Sequence, residues 1–149
     1  MNATNHAPFE STYQTTSRWL EQLMRELDWN DAHRATHALR AVLHALRDRL
    51  TVEEAVDLGA QLPMLVRGLY YEGWVPAGKP VKERRKEDFL THIADQFRHD
   101  PEVFPEAVAW AVFKLLESRV SAGEIGDVLH VLPAEIRSLW PQIEANHAR

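Results

Sequence analysis

His33 and His37 stand four residues apart in a stretch that reads as helix. One face would then offer two imidazoles at the spacing a single metal ion accepts. A catalytic zinc needs a third protein ligand, and His44 lies about 10 Å further along the axis, too far for the same ion. The sequence holds no HExxH pattern and no repeated ExxH pattern. Arg34, Arg40 and Arg47 are interleaved with the histidines and would repel a cation. No metal and no cofactor is therefore expected. His33, His37, Arg40, His44 and Arg47 do share one narrow helical stripe, because 100° per residue brings these spacings together. It reads first as a solvated polar face and second as a surface for an anion or an acidic partner. Ala35, Leu39, Val42 and Leu46 lie opposite and mark the core side.

Tyr70-Tyr71-Glu72-Gly73-Trp74 is the other stretch with binding potential. Adjacent aromatics cannot all face one side of a helix. Some must pack across a junction or line an aromatic groove, for which Arg67, Lys82, Arg84 and Arg85 would form the polar rim. The candidate ligand-binding set is Arg67, Tyr71, Trp74, Arg84 and Arg85. No catalytic class finds its motif: there is no Gly-x-Ser-x-Gly elbow, no phosphate-binding glycine loop and no dinucleotide fingerprint. An enzyme is the least supported reading.

The elements that must position these residues come in two matching sets. Shifting the second half back by 70 positions lays it over the first without a gap, with Pro133 on Pro63 and Trp140 on Tyr70. Trp19, Leu20, Leu23, Met24 and Leu27 form an apolar helical stripe, matched by Phe89, Leu90, Ile93, Ala94 and Phe97. A longer helix follows, opened by Asp31 and running to about Arg49, with a counterpart from near Asp100 to about Arg119 whose first turn is marked by Pro105. Thr51-x-x-Glu54 and Ser121-x-x-Glu124 both match the capping box that starts a third helix. Pro63 and Pro133 then break that helix and begin a short fourth one. Arg49/Arg119, Glu54/Glu124, Asp57/Asp127 and Arg67/Arg137 recur at equivalent places and read first as structural, the arginines serving helix C-termini, with two equivalent anion pockets built around the arginines as the alternative.

The two sets differ on the long helix. Where the first carries its basic stripe, the second has Val103, Ala107, Trp110, Lys114 and Glu117. An all-round apolar helix is buried or covered by a partner. Val103, Ala107 and Trp110 are therefore the candidate interface.

The residues Leu39-Arg40-Ala41-Val42-Leu43-His44-Ala45-Leu46-Arg47-Asp48-Arg49-Leu50, Gln61-Leu62-Pro63 and Arg67-Gly68-Leu69-Tyr70-Tyr71-Glu72-Gly73-Trp74 resemble the domain-of-unknown-function 2267 family. The resemblance runs from about Trp19 to Trp140. It implies an all-helical bacterial protein without an assigned activity, and it transfers no site residues.

At 149 residues, 45% hydrophobic and 26% charged, the chain has the composition of a soluble globular domain. No apolar run approaches the roughly 20 residues of a bilayer span. The absence of cysteine removes disulfides and thiolate chemistry and agrees with a cytoplasmic setting. A net charge of −5 speaks against nucleic acid, whose binding needs a basic field. The expectation is one all-α domain of two tandem repeats, each of three to four helices, packed with approximate twofold symmetry. Repeat one covers about 16–74, a linker about 75–85 and repeat two about 86–144, with loose tails at 1–12 and 145–149. The expected role is a non-enzymatic interaction or scaffold protein that recognises a protein partner or itself. The alternative is a small-ligand or anion-binding regulatory module at the inter-repeat junction.

Overall fold

The computed structural model describes residues 7–141, which form eight α-helices and no strand. Helix α1 (Glu10–Leu27) is followed by α2 (Ala32–Arg47), α3 (Val52–Ala60) and α4 (Met64–Tyr71). A connecting segment leads to α5 (Lys86–Gln96), α6 (Pro105–Arg119), α7 (Ala122–Val131) and the single turn α8 (Ala134–Arg137). No helix among the described residues is long and apolar enough to cross a membrane.

The first helix starts earlier than the apolar pattern suggests. Residues 10–12, expected to be loose tail, are its first turn, because the helix seeded by buried Trp19 and Leu23 propagates back through residues that need no core contact. The Gln14 amide bonds the Glu10 carboxylate at 3.2 Å across that turn. The expected tail at 145–149 lies outside the described residues. Helix α1 closes at Asp28, whose φ of 57° is left-handed, and the Trp29 amide bonds the Met24 carbonyl at 2.9 Å.

Helix α2 opens where Asp31 accepts from the amides of His33 (2.9 Å) and Arg34 (3.2 Å). It packs on α1, α4, α5 and α6, so it runs through the middle of the molecule. Nine of its residues are buried, from Ala35 through Arg47, far more than one stripe. Helix α6 begins at Pro105, whose missing amide hydrogen costs nothing in a first turn. Thr51 and Ser121 cap α3 and α7 by accepting from the amides three residues on, at 3.1 and 3.2 Å. Pro63 and Pro133 stand at the N-caps of α4 and α8.

The core is continuous. Trp140 stacks on Phe113 with ring centres 4.1 Å apart, Phe89 lies against the same ring at 5.9 Å, and all three are fully buried. Tyr70 is also fully buried and donates its hydroxyl to the Ala55 carbonyl at 2.7 Å, locking α4 onto α3. The connecting segment turns at Gly73 (φ 68°) and Gly78 (φ 79°), left-handed positions that favour glycine. It is tied back to the end of α2 by a 2.8 Å bond from the Val81 amide to the Asp48 carbonyl.

Candidate anion-binding cleft

The basic stripe of α2 is not a solvated face. Only His33 is exposed. A ring nitrogen of His37 meets the Gln96 carbonyl at the end of α5 at 2.6 Å, and its ring lies 4.7 Å from Phe97. Arg40 pairs with Glu72 at 2.8 Å. The His44 Nε2 meets the Leu69 carbonyl at 2.6 Å, and since a carbonyl only accepts, that nitrogen carries the hydrogen. Burial is the main cause that lowers the His44 pKa, assisted by Arg47, while the Leu69 carbonyl and the Glu72 and Asp48 carboxylates oppose it. Arg47 is 4% exposed and donates to the carbonyls of Tyr70 and Glu72, both at 2.8 Å, while pairing with Asp48 at 2.9 Å. The stripe is thus an internal polar seam. Its donors satisfy the free carbonyls at the C-terminal ends of α4 and α5, which a buried helix end must have.

The aromatic candidates also turn inward. Tyr71 packs on Trp74 with ring centres 5.4 Å apart and its hydroxyl reaches the Val56 carbonyl at 3.5 Å. A Cβ added at Gly59 would overlap the Tyr71 phenol, so the glycine makes room for the ring. Arg67 donates to the carbonyls of Gly59 (2.8 Å), Ala60 (3.3 Å) and Leu62 (2.8 Å), closing the end of α3. It is no rim for a ligand. Arg85 is exposed and pairs loosely with Glu87 at 3.3 Å.

Of that candidate set, Arg84 lines a cleft beneath the connecting segment. The cleft beneath the connecting segment has a volume of about 600 Å³. That lies within the range of small-molecule sites. Its cationic side is Arg49, Lys79, Lys82 and Arg84, and its apolar wall includes Val81, Val131 and Pro133. Arg49 comes from the end of α2, Val131 and Pro133 from the α7–α8 junction, and the rest from the connecting segment. Lys79, Lys82 and Arg84 have no ionic partner among the described residues. Three cations without an ionic partner among the described residues line one cleft.

Arg49 is the unusual member. It is 3% exposed, yet it is a charged group facing a cleft. One terminal nitrogen donates to the Ala45 carbonyl at 2.9 Å and the other to the Glu83 carboxylate at 2.7 Å. Its Nε is buried with no hydrogen-bond partner among the described residues. Burial opposes its positive charge, and the carboxylates of Glu83, Asp48 and Asp88 offset that effect. The Phe89 ring lies under the guanidinium at 5.2 Å.

The candidate interface on α6 is divided by the fold. Val103 is 8% exposed and belongs to the core, because the turn before α6 folds it inward. Ala107 is exposed and Trp110 is half-buried; both line a shallow groove of about 400 Å³ with Glu26, Leu27, Glu106 and Ala111. The Lys114 ammonium sits 5.0 Å from the Trp110 ring centre and pairs with Glu26 at 3.0 Å, so charge partly covers the patch.

A second polar cluster lies where α3 packs on α7. Glu54 and Glu124 face one another there, and one oxygen of each is buried with no donor. Two carboxylates can share such a site only if one holds a proton. Burial raises the Glu124 pKa to about 8, with further contributions from the hydrogen bond to Glu54 and the charges of Glu54, Asp57 and Asp127.

Sequence reasoning missed Lys79 as part of a site and held Arg49 only in its alternative of anion pockets built around the paired arginines. The concentration of Lys79, Lys82, Arg84, Arg85 and Lys86 around Pro80 was the available signal. Nothing in the sequence shows that this cluster folds back over Arg49. No curated protein shows significant similarity to the chain. The family model for the uncharacterized conserved protein DUF2267 matches residues 16–139. Spanning nearly all of the described helices, that match makes this chain a member of the DUF2267 family.

Proposed function

We propose that the protein is a non-enzymatic binding module for small organic anions, with the ligand held in the cleft beneath the connecting segment. The observation that carries this reading is the set of cations Lys79, Lys82 and Arg84, without ionic partners among the described residues, beside the buried Arg49 and an apolar wall in one cavity. Like charges held close together repel, and a bound anion relieves that repulsion.

The same reading includes a tandem origin for the scaffold, two copies of one helical unit packed about an approximate twofold axis. Support comes from equivalent hydrogen bonds 70 residues apart. Arg67 caps the Gly59 carbonyl as Arg137 caps the Leu129 carbonyl, and Thr51 caps α3 as Ser121 caps α7. Glu54 meets its own counterpart Glu124, which is the behaviour of residues beside a twofold axis. The cleft then sits at the junction of the copies, where a ligand would touch both.

The test is thermal unfolding of the protein with phenyl phosphate, benzoate and inorganic phosphate at two salt concentrations. Saturable stabilisation by an organic anion, weaker at high salt and lost in a Lys79→Ala/Lys82→Ala/Arg84→Ala variant, is expected. No shift with any of the three anions would contradict the proposal. A second reading, docking of a protein partner, draws on the groove beside Trp110, whose rim acids Glu26 and Glu106 are paired with Lys114 and Lys86 and could exchange those lysines for a partner's. A basic peptide is the probe for it, with Trp110→Ala as the control.

A further inference from the structure

We infer that the cleft takes diphosphate esters of short aliphatic alcohols. This rests on the anion-binding reading above and narrows its ligand class. The lining contains the four cations Arg49, Lys79, Lys82 and Arg84 and no carboxylate. Arg49 is already satisfied, because its terminal nitrogens donate to the Ala45 carbonyl and the Glu83 carboxylate. Glu83 is not part of the lining, so a ligand in the cleft can leave that pair intact. Lys79, Lys82 and Arg84 remain, each a positive charge without an ionic partner among the described residues.

A carboxylate answers one of these charges, and a phosphate monoester answers about two at neutral pH. The ester of a diphosphate adds a singly charged bridging phosphoryl group and so matches all three cations. Like charges repel, which spreads the three heads along the cleft and keeps them from crowding one phosphoryl group. Two linked phosphoryl groups offer acceptors over that greater length. Exposure sets the direction of the ligand. Lys82 and Arg84 are exposed and mark the mouth, whereas Val81 and Val131 are half-buried and Pro133 is buried. The diphosphate therefore lies at the mouth and the ester body against Val81, Val131 and Pro133. That wall is aliphatic, and no aromatic side chain is among the lining residues to stack on a nucleobase. The volume of about 600 Å³ leaves room for a body of a few carbons beside the head. Each methylene buried there tightens binding about fourfold.

The experiment is calorimetric titration, in magnesium-free buffer, of isopentyl diphosphate, isopentyl phosphate, methyl diphosphate, adenosine diphosphate and phenyl phosphate. Isopentyl diphosphate should bind most tightly. Removing its second phosphoryl group should weaken it about tenfold. Shortening the body to methyl should weaken it by about tenfold or more. Lys82→Ala, on an exposed side chain, should narrow the gap between isopentyl diphosphate and isopentyl phosphate. Val131→Thr, of nearly the same shape, should narrow the gap between isopentyl and methyl diphosphate and leave methyl diphosphate unchanged. Circular dichroism checks that both variants fold. Equal affinity for isopentyl diphosphate and isopentyl phosphate overturns the inference and leaves anion binding standing. So does methyl or adenosine diphosphate binding as tightly as the isopentyl ester, and so do gaps that neither variant changes. If no probe binds, phenyl phosphate included, both the inference and the reading beneath it fall.

Discussion

Replacing Glu124 by glutamine should make the protein more stable at alkaline pH. Glu124 is 8% exposed and faces Glu54 across the α3–α7 contact, with Asp57, Asp127 and the buried Tyr70 hydroxyl as the other titratable groups around the pair. Its folded pKa is raised from 4.5 to about 8, chiefly by burial. The native state therefore holds a proton that the unfolded chain releases near pH 4.5. Stability from this proton is fully present below the unfolded value and is lost as pH rises through the folded one. The slope across that window is at most about 1.4 kcal/mol per pH unit for one proton. Accumulated over the window, the loss is a sizeable part of the about 5–15 kcal/mol that holds a typical domain together. A glutamine amide donates to Glu54 at every pH, so Glu124→Gln keeps the hydrogen bond and removes the titration. Urea unfolding followed by circular dichroism from pH 6.5 to 8.5 measures it directly. The wild type should lose stability across this range, and Glu124→Gln should lose much less and be the more stable protein at pH 8.5. Parallel curves for the two proteins would refute the shared proton.

His44 acts with the opposite sign: its folded pKa lies below the ordinary 6.5, so its contribution is present above pH 6.5 and lost as pH falls through the folded value. His44→Gln, which can still donate to the Leu69 carbonyl, should flatten the acid side of the same urea-derived profile. Arg47→Met should destabilise by about 3 kcal/mol, since it strands two carbonyls and Asp48 at a nearly closed site. Thr51→Ala and Ser121→Ala should each cost about 1 kcal/mol in chemical denaturation, and the double variant should depart from their sum because the capped residues Glu54 and Glu124 meet across the α3–α7 contact.

Helices were the legible part of this chain. Asp31, Thr51, Pro63, Pro105, Ser121 and Pro133 each act through their own backbone, so local chemistry placed the starts of α2, α3, α4, α6, α7 and α8. The role of the basic stripe was not legible. A polar side chain reads as solvated until one knows that α4 and α5 end against it, and that is a matter of packing between distant elements. Glu54 and Glu124 show the same limit. The capping-box spacing is met by the hydroxyl arm in both helices, but the two carboxylates meet each other across an interface that no local pattern encodes. For the cleft, Arg84 stood out as one of several cations near Pro80, whereas Arg49 read first as a helix-ending arginine and only second as the centre of an anion pocket. Its place under the connecting segment depends on the tie from Val81 to Asp48 and the pairing with Glu83.

The anion-binding account is tested most directly by mapping amide and arginine Nε shifts in nitrogen–proton spectra as phenyl phosphate is titrated into the wild type. The account predicts saturable shifts concentrated at Gly78, Lys79, Val81, Lys82, Arg84, Val131 and the Arg49 side chain. Shifts centred instead on Trp110, or no saturable shifts at all, would contradict it.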